Sequence, residues 1–450
     1  MENFFKLKEH GTDVKTEILA GVTTFLSMVY ILAVNPSILG AAGMNPAAVF
    51  TATAVSAGFA SILMAVLANY PIALASGMGL NAYFAFSVCI PMAKNGVQDP
   101  WKIALTAILV EGIIFMLLSL VKFRETLVNK VPQNLKLGIT AGIGLFISII
   151  GLKGGGIVVS NPDTLVAFGD ISSPQVVLAL VGFLIVAILY HKNIKGAILW
   201  GILATWILGM IAQATGWYVV DPSVGAFSLF PSFENGLVPA APTMFSFDFG
   251  YASSHIIDFA VIVFSFLFVD LFDTAGTLIG VASKANLLDK DGNLPKAGGA
   301  LMADAVGTVV GACLGTSTVT SYVESSAGVA QGGRTGLTAV TAGVLFIVSL
   351  FLAPIFLAIP AFATTPALVF VGLLMLSAVK EMEFEGDMAS AVGGFFAIIM
   401  MPFTYSIANG IMFGILSYVI IKVFTGKVKD VHPVMWVSAV LFAIKIYTMI

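Results

Sequence analysis

Charged residues are scarce in this chain. Asp, Glu, Lys and Arg make up 10% of its 450 residues, whereas ordinary soluble domains contain roughly 25%. Hydrophobic residues account for 58% of the sequence, and the mean hydropathy is +1.01. A soluble core could not bury so much apolar sequence, so the composition excludes a soluble globular protein and indicates a polytopic membrane protein.

Cysteine and histidine are also scarce. The two cysteines, Cys89 and Cys313, both fall in apolar segments, where small buried core residues are expected rather than a disulfide. The four histidines are scattered, and no H-E-x-x-H, G-x-S-x-G or Walker A sequence occurs. We therefore predict no metal site, no cofactor, no enzymatic activity and no nucleic-acid partner.

Long apolar runs fill most of the chain. A membrane-spanning helix needs about 20 apolar residues, and fourteen segments qualify, here numbered spans 1 to 14. They cover residues 18–39, 47–69, 72–91, 101–121, 133–152, 172–190, 194–215, 256–281, 296–314, 316–333, 335–358, 363–379, 388–405 and 407–424. A further apolar stretch, 433–450, contains Lys445 and either lies in the membrane interface or packs as an extra helix.

The basic residues indicate the orientation. If the N-terminus is cytoplasmic, nearly all of the 21 Lys and Arg residues face the cytoplasm, and only Lys94, Lys102 and Lys153 lie in outer loops. This bias follows the positive-inside rule. We expect a plasma-membrane protein (the inner membrane of a bacterium) with a cytoplasmic N-terminus. The polar start MENFFKLKEHGTDVKTE predicts a retained first span rather than a cleaved signal peptide.

A polar connection at residues 216–255 divides the chain into halves of seven spans, 1–215 and 256–425, followed by the C-terminal segment 426–450. An odd number of spans inverts the second copy in the membrane, as in many secondary transporters. KGAILWGIL near the end of the first half resembles NGIMFGIL near the end of the second. We predict an all-α membrane fold built from two inverted seven-span repeats.

Spans 3 and 10 are poor helices. YPIALASGMGLNAYFAFSVC has Pro71, Gly77 and Gly79 ahead of Asn81, and GTSTVTSYVESSAGVAQGG is rich in Ser, Thr and Val before Glu324. Both predict an extended stretch followed by a half-helix. Such backbone is tolerated at membrane depth only where it is buried in protein or lines a cavity. Matching broken segments in two halves indicate a central binding site.

Acidic residues occur in the middle of apolar spans. In FAVIVFSFLFVDLFDTAGTLIGVA, Asp270 and Asp273 share a helix face with Thr274 and Thr277. An ionisable group at this depth costs roughly 2.5–3.5 kcal/mol and usually marks an ion or substrate pathway. Together with Glu324, these acids predict a site for a proton and for a ligand that donates hydrogen bonds. The alternative is a structural role, with each acid bonded to Ser, Thr or backbone.

Other polar and aromatic residues complete the candidate site. Asn81 offers a donor and an acceptor on one amide. Asp304 is another intramembrane acid, which either relays protons or braces span 10, and we favour bracing. Tyr30, Phe272 and Tyr322 could stack on a planar ligand, although most aromatic residues in a chain with 35 Phe are lipid-facing or core residues.

Several of these stretches resemble the AzgA-like purine permeases, a branch of the nucleobase–ascorbate transporter superfamily. The resemblance lies in EILAGVTTFLSMVYILAVNPSIL, GMGLNAYFAF, VDLFDTAGTLIG and ADAVGTVVGACLGTSTVTSYVESSAGVAQGGRTGLTAV. It implies the uracil-permease fold, with spans 1–4 and 8–11 as a core domain, spans 5–7 and 12–14 as a gate domain, and short strands in spans 3 and 10. It also implies proton-coupled uptake of adenine, guanine or hypoxanthine, bound by Asn81, Asp270, Asp273 and Glu324.

Three points stay open in the sequence. An anion exchanger of the same architecture is the alternative function, although acids occupy the positions where an anion would need Lys or Arg. The preferred purine is undecided, because guanine and hypoxanthine offer an N1–H donor where adenine offers an acceptor. The oligomeric state is equally undecided, and a homodimer is one option.

Overall fold

Apolar helices make up most of the molecule. A computed structural model describes residues 2–120, 131–221, 226–233, 237, 240–288 and 294–449. Within these residues, ten helices are at least 18 residues long and apolar enough to cross a membrane. This finding confirms a polytopic membrane protein.

Each of the fourteen predicted spans coincides with a helix or with a broken helical segment. The first half contains Val14–Met28 with Ile31–Ala41 (span 1), Pro46–Leu67 (span 2), Leu74–Ser76 with Met78–Ala82, Tyr83–Cys89 and Ile90–Lys94 (span 3), Pro100–Leu120 (span 4), Gln133–Gly154 (span 5), Pro174–His191 (span 6) and Ala197–Ala214 (span 7). The second half contains Ile256–Lys284 (span 8), Ala297–Leu314 (span 9), Val319–Ser321 with Ser325–Ala330 (span 10), Gly336–Val348 with Ser349–Leu352 and Ala353–Leu357 (span 11), Ala361–Leu376 with Ser377–Glu381 (span 12), Met388–Thr404 (span 13) and Ile407–Phe424 (span 14).

Smaller elements join these spans. Two strands, β2 (Val158–Asn161) and β3 (Leu165–Phe168), form an antiparallel hairpin after span 5. The remaining short elements are Glu2–Phe5, Phe249–Ser254 and Val428–Asp430. The C-terminal helix covers Pro433–Met449.

Polar residues just outside the apolar runs define where several helices begin. The Asp13 carboxylate accepts a hydrogen bond of 3.0 Å from the Thr16 backbone N–H at the start of span 1, and this bond holds the pKa of Asp13 below its usual value. Asn45 caps span 2 in the same way, with Pro46 in the first turn, a position where proline is favoured. The predicted boundaries are therefore correct to within a few residues.

Spans 3 and 10 each contain a short strand at the predicted place. Strand β1 (Leu74–Ser76) pairs antiparallel with strand β4 (Val319–Ser321), with Leu74 opposite Ser321 and Ser76 opposite Val319. All six residues of the two strands are buried. The pairing gives their backbone groups hydrogen-bond partners without water, which membrane depth requires. A half-helix follows each strand, as the sequence predicts.

The spans pack in two groups. Spans 2 and 11, and spans 4 and 9, pack closely within a group formed by spans 1–4 and 8–11, called the core group here. Spans 5, 12, 13 and 14 pack closely within a gate group that also includes spans 6 and 7. Glycines permit the closest approaches, since a Cβ at Gly138 would overlap the backbone of Gly394. The domain boundaries at residues 215, 255 and 425, and the roles of the groups in transport, stay predictions.

The C-terminal helix packs against spans 8 and 14. Its Lys445 forms an ion pair with Asp258 near the start of span 8, and Phe442 packs edge-to-face on Phe264 with ring centroids 5.6 Å apart. Because later residues of this helix meet earlier residues of span 8, the two helices run antiparallel. The segment is thus an additional packed helix, about 25 Å long at 1.5 Å per residue.

Candidate functional site

Glu324 and Tyr30 meet at breaks in two different spans. Tyr30 lies between the two helices of span 1, and Glu324 lies between β4 and the half-helix of span 10. The Tyr30 hydroxyl donates a hydrogen bond of 2.5 Å to Glu324 Oε1. Tyr30 is fully buried, whereas Glu324 is only half-buried. The tyrosine therefore holds the carboxyl in place.

Asp273 and Tyr322 complete this arrangement. Asp273 is half-buried as a residue, and its carboxyl lies close enough to Glu324 and Tyr322 for electrostatic interaction. The Tyr322 hydroxyl donates a bond of 2.5 Å to the Ser76 carbonyl oxygen, which joins span 10 to β1. We call Tyr30, Asp273, Tyr322 and Glu324 the acidic cluster. It presents two hydrogen-bonding carboxyls beside two buried phenol rings.

Asp270 and Asp304 are fully buried and meet at Thr274 instead. The Thr274 hydroxyl oxygen lies 3.2 Å from Asp270 Oδ1, 3.0 Å from Asp304 Oδ2 and 2.8 Å from Thr320 Oγ1. Asp304 Oδ1 also accepts bonds from the Ser321 backbone N–H at 3.0 Å and the Ser321 hydroxyl at 3.1 Å. Asp304 therefore braces β4. Because a hydroxyl has one hydrogen, Thr274 cannot donate to both carboxyls at once.

Asn81 lies in the half-helix of span 3 and is fully buried. Its Oδ1 accepts a hydrogen bond of 2.8 Å from the Ser76 hydroxyl, and its Nδ2 lies 3.5 Å from the Ser76 carbonyl oxygen. Tyr322 donates to that same carbonyl. Asn81 thus adjoins the acidic cluster through Ser76.

The other predicted contacts have different outcomes. Thr277 lies half-buried one turn beyond Asp273, so it remains on the face of span 8 that carries the acids. The side chain of Phe272 lies outside the described residues, and its stacking role stays a prediction. The ligand-binding roles of Asn81, Asp270, Asp273 and Glu324 also stay predictions.

Glu17 is a buried acid that the sequence analysis did not single out. It accepts hydrogen bonds from the backbone N–H groups of Arg334, Thr335 and Thr338 and from the Thr338 hydroxyl, at 2.6 to 3.3 Å. These groups belong to the first turn of span 11 and to the residues just before it, so Glu17 caps that helix. The sequence signal for this role is an acidic residue directly before the first apolar run, together with the Gly- and Thr-rich segment that leads into span 11.

A cavity of about 750 Å³ opens between the two groups of spans. Lys94, Lys153, Phe86 and Tyr405 line it together with the β2–β3 hairpin, and none of the described side chains of the predicted site does. Lys153 Nζ lies 5.0 Å from the centroid of the Tyr405 ring. Tyr405 has a φ of 54°, a left-handed conformation that is unusual for a bulky residue.

Aromatic residues lead from this cavity toward the acids. Phe86 belongs to the π-helix Tyr83–Cys89, which ends next to Pro91. The Tyr83 ring, one turn before Phe86, packs edge-to-face on Phe266 at 4.7 Å. Phe266 is one turn before Asp270 on span 8. The π-helix and the Tyr83–Phe266 contact therefore link a cavity-lining element to the helix that carries Asp270.

Comparisons with known proteins identify the family of this chain. The chain matches the Xan_ur_permease model, described as a permease family, over residues 15–437. Adenine permease AdeP of Escherichia coli (strain K12) is 43% identical over 448 residues, which are 99% of this chain and 96% of that protein. Guanine/hypoxanthine permease PbuO of Bacillus subtilis (strain 168) is 45% identical over 445 residues, which are 98% and 99% of the two chains.

A solved structure supports the architecture. The transmembrane domain of the cyanobacterial bicarbonate transporter BicA matches with a TM-score of 0.65 at 18% identity, covering 88% of this chain and 96% of that domain. At this identity the likeness concerns the fold alone, and it confirms the predicted fold class. The family match also confirms a transporter rather than an enzyme. The chain belongs to the Xan_ur_permease family of multi-pass membrane permeases.

Proposed function

We propose that this protein imports purine nucleobases across the cytoplasmic membrane together with protons. The observation that carries the proposal is the pair of half-buried acidic residues, Asp273 and Glu324, beside the paired strands of spans 3 and 10. Purine bases carry ring and exocyclic N–H groups, and carboxylates accept hydrogen bonds from such groups. The names of AdeP and PbuO, an adenine permease and a guanine/hypoxanthine permease, support the same ligand class.

The base docks between spans 3 and 10 and against span 8. Glu324 or Asp273 accepts its N–H groups, and Asn81 pairs with another edge. Tyr30 and Tyr322 surround the carboxyls with apolar ring surface, which excludes water and strengthens each hydrogen bond. Tyr30 also holds Glu324 in one orientation through its 2.5 Å bond, so the carboxyl is positioned before the ligand arrives.

The proton neutralises one carboxyl of the site. Two like charges in a dry environment repel each other, so Asp273 and Glu324 are best accommodated when one of them is protonated. Asp270 and Asp304, which are both fully buried and both within hydrogen-bond distance of the Thr274 hydroxyl, offer a second place for a proton. Entry of a proton from outside therefore favours binding, and its release into the cytoplasm favours unloading.

Transport requires the core group to move against the gate group. A ligand shifts such an equilibrium only by binding the two arrangements with different affinity. The cavity beside Lys94 and Lys153 serves as the entrance for the base. It lies on the side of the membrane that the distribution of basic residues predicts to be outside. The same distribution places the N-terminus in the cytoplasm. A homodimer is compatible with this scheme and is not required by it.

Glu324→Gln tests the proposal. This variant keeps the size of the side chain but removes its charge and its ability to exchange a proton. We expect loss of labelled hypoxanthine and adenine uptake into proteoliposomes under an inward proton gradient, with an unchanged melting temperature. Glu9→Gln, which changes an exposed glutamate paired with Lys6, is the control. Wild-type uptake and pH dependence in the Glu324→Gln variant would remove Glu324 from the mechanism.

An anion exchanger of the same architecture is the second candidate, because one of the solved structures with this fold is a bicarbonate transporter. The carboxyls of the acidic cluster would repel an anion at the point where the spans break. Competition distinguishes the two functions. Unlabelled adenine, guanine and hypoxanthine should inhibit uptake at two pH values, whereas bicarbonate and sulfate should not.

A further inference from the structure

A row of fully buried polar side chains runs from span 1 to Asn81. It consists of Asn35, Thr316, Ser76 and Asn81, with Thr53 on a side branch. We infer that Ser76 and Thr316 are positioning residues that make Asn81 present an N–H donor, and not its carbonyl oxygen, to the ligand. The inference rests on the proposed binding of a purine base at this site.

Thr53 determines the orientation of Asn35. The Thr53 hydroxyl donates its only hydrogen to the Val49 carbonyl oxygen at 2.7 Å, so it can only accept from Asn35. The Asn35 atom 2.8 Å from Thr53 Oγ1 must therefore be the nitrogen Nδ2. The amide orientation of Asn35 follows from this contact.

Asn35 in turn orients Thr316 and Ser76. Asn35 Nδ2 donates its second hydrogen to Thr316 Oγ1 at 2.9 Å. The hydroxyl hydrogen of Thr316 is therefore donated to an acceptor other than Asn35. Two acceptors lie within reach of it, Ser76 Oγ at 3.5 Å and Thr53 Oγ1 at 3.4 Å. Thr53 Oγ1 already accepts from Asn35 and has one lone pair left, and we assign the Thr316 hydrogen to Ser76. Ser76 then donates to Asn81 Oδ1 at 2.8 Å. Because these groups are fully buried, water does not compete for their hydrogen bonds.

The Ser76 carbonyl imposes a second constraint on Asn81. A carbonyl oxygen only accepts, and this one lies 3.5 Å from Asn81 Nδ2 while it accepts from Tyr322. A flipped amide would place Asn81 Oδ1 against another oxygen. The hydroxyl group and the carbonyl group of Ser76 therefore favour the same orientation of the Asn81 amide. This orientation leaves one Asn81 N–H for a ligand.

The ligand must then offer an acceptor to Asn81 and donors to the carboxyls of Asp273 and Glu324. A ring nitrogen without hydrogen, or an exocyclic oxygen, supplies that acceptor on a purine. Loss of the acceptor should weaken binding about 3- to 10-fold, the usual effect of one neutral hydrogen bond. That loss should depend on Ser76 and Thr316, because they hold the Asn81 amide.

Binding to purified protein tests the inference atom by atom. Labelled adenine is competed by its 1-deaza, 3-deaza and 7-deaza analogues, and labelled hypoxanthine by its 3-deaza, 7-deaza and 6-thio analogues. In the wild type, one analogue of the bound base should show the 3- to 10-fold loss. In Ser76→Ala and in Thr316→Val, that loss should shrink below about twofold while the other analogues keep their ratios, as expected for coupled groups.

Matched variants separate positioning from packing. Thr205→Val removes an equally buried hydroxyl in span 7 that donates to the Gly201 carbonyl oxygen and does not belong to this row, and it should keep the wild-type ratios. Thr316→Ser retains the hydroxyl and should also keep them. Unchanged ratios in both Ser76→Ala and Thr316→Val, or no weakened analogue in the wild type, would overturn the inference. Absence of any binding of adenine and hypoxanthine to the wild type would overturn the proposed function and the inference with it.

Discussion

Tyr30→Phe removes one hydroxyl group and leaves the buried ring in place. In the wild type this hydroxyl donates a 2.5 Å bond to Glu324 Oε1, and Tyr30 is completely shielded from solvent. A hydrogen bond to a charged group contributes about 1.5–3 kcal/mol. If Glu324 must be held to accept from the base, this range corresponds to a loss of about 10- to 150-fold in apparent affinity.

The assay is the initial rate of labelled hypoxanthine and adenine uptake into proteoliposomes over a range of concentrations. We expect KM for the transported base to rise at least tenfold in Tyr30→Phe. The double variant Tyr30→Phe, Glu324→Gln should be no worse than Glu324→Gln alone, because both changes disrupt one interaction. The melting temperature of purified Tyr30→Phe should fall by only a few degrees, since packing of the ring is kept.

Tyr70→Phe is the matched control. Tyr70 is also buried, and its hydroxyl accepts a bond of 2.9 Å from the Lys296 backbone N–H, away from the acidic cluster. Its loss should affect stability and leave KM unchanged. A Tyr30→Phe protein whose KM stays within twofold of the wild type would refute the reasoning that Tyr30 positions Glu324 for the ligand.

Substitutions at three further positions have expected outcomes. Glu17→Ala leaves several buried N–H groups of span 11 without their acceptor, so we expect a loss of about 3 kcal/mol in stability, seen as a lower melting temperature in detergent. In Asp304→Asn the new side chain still accepts from Ser321, so purine binding should stay within about threefold of the wild type. Asp304→Ala should lower purine binding roughly tenfold. Equal binding by the two variants would contradict the bracing role. Gly372→Ala places a Cβ against the Gly144 carbonyl oxygen, which should cost about 3 kcal/mol through overpacking and reduce the yield of monodisperse protein.

The architecture was predictable because its determinants are local. Each apolar run is long enough to cross the membrane, and capping residues such as Asp13 and Asn45 stand just outside the runs. Pro71, Gly77 and the Ser- and Thr-rich segment before Glu324 disfavour continuous helices, so the strands of spans 3 and 10 were also predictable. The acids of span 8 were detectable because an ionisable residue is costly in an apolar helix.

The pairing of the polar side chains was not predictable. Helical spacing places Asp270 and Asp273 on one face, yet Asp273 lies beside Glu324 while Asp270 joins Asp304 at Thr274. Spacing along one helix cannot distinguish these partners, since they come from spans 9 and 10. Ser76 was overlooked for a related reason. Its importance lies in two contacts, with Asn81 and Tyr322, that depend on how the halves of the chain meet.

The pairing of β1 with β4 has a consequence for how the protein is assembled. Leu74 and Ser321 are neighbours in the strand register but are synthesised far apart in time. Until the second half is inserted, the backbone amides of β1 have no strand to pair with, and hydrocarbon offers them none. The centre of the molecule is therefore completed late, when long-range contacts close. Two halves produced as separate chains should each be prone to degradation alone and protect one another when produced together.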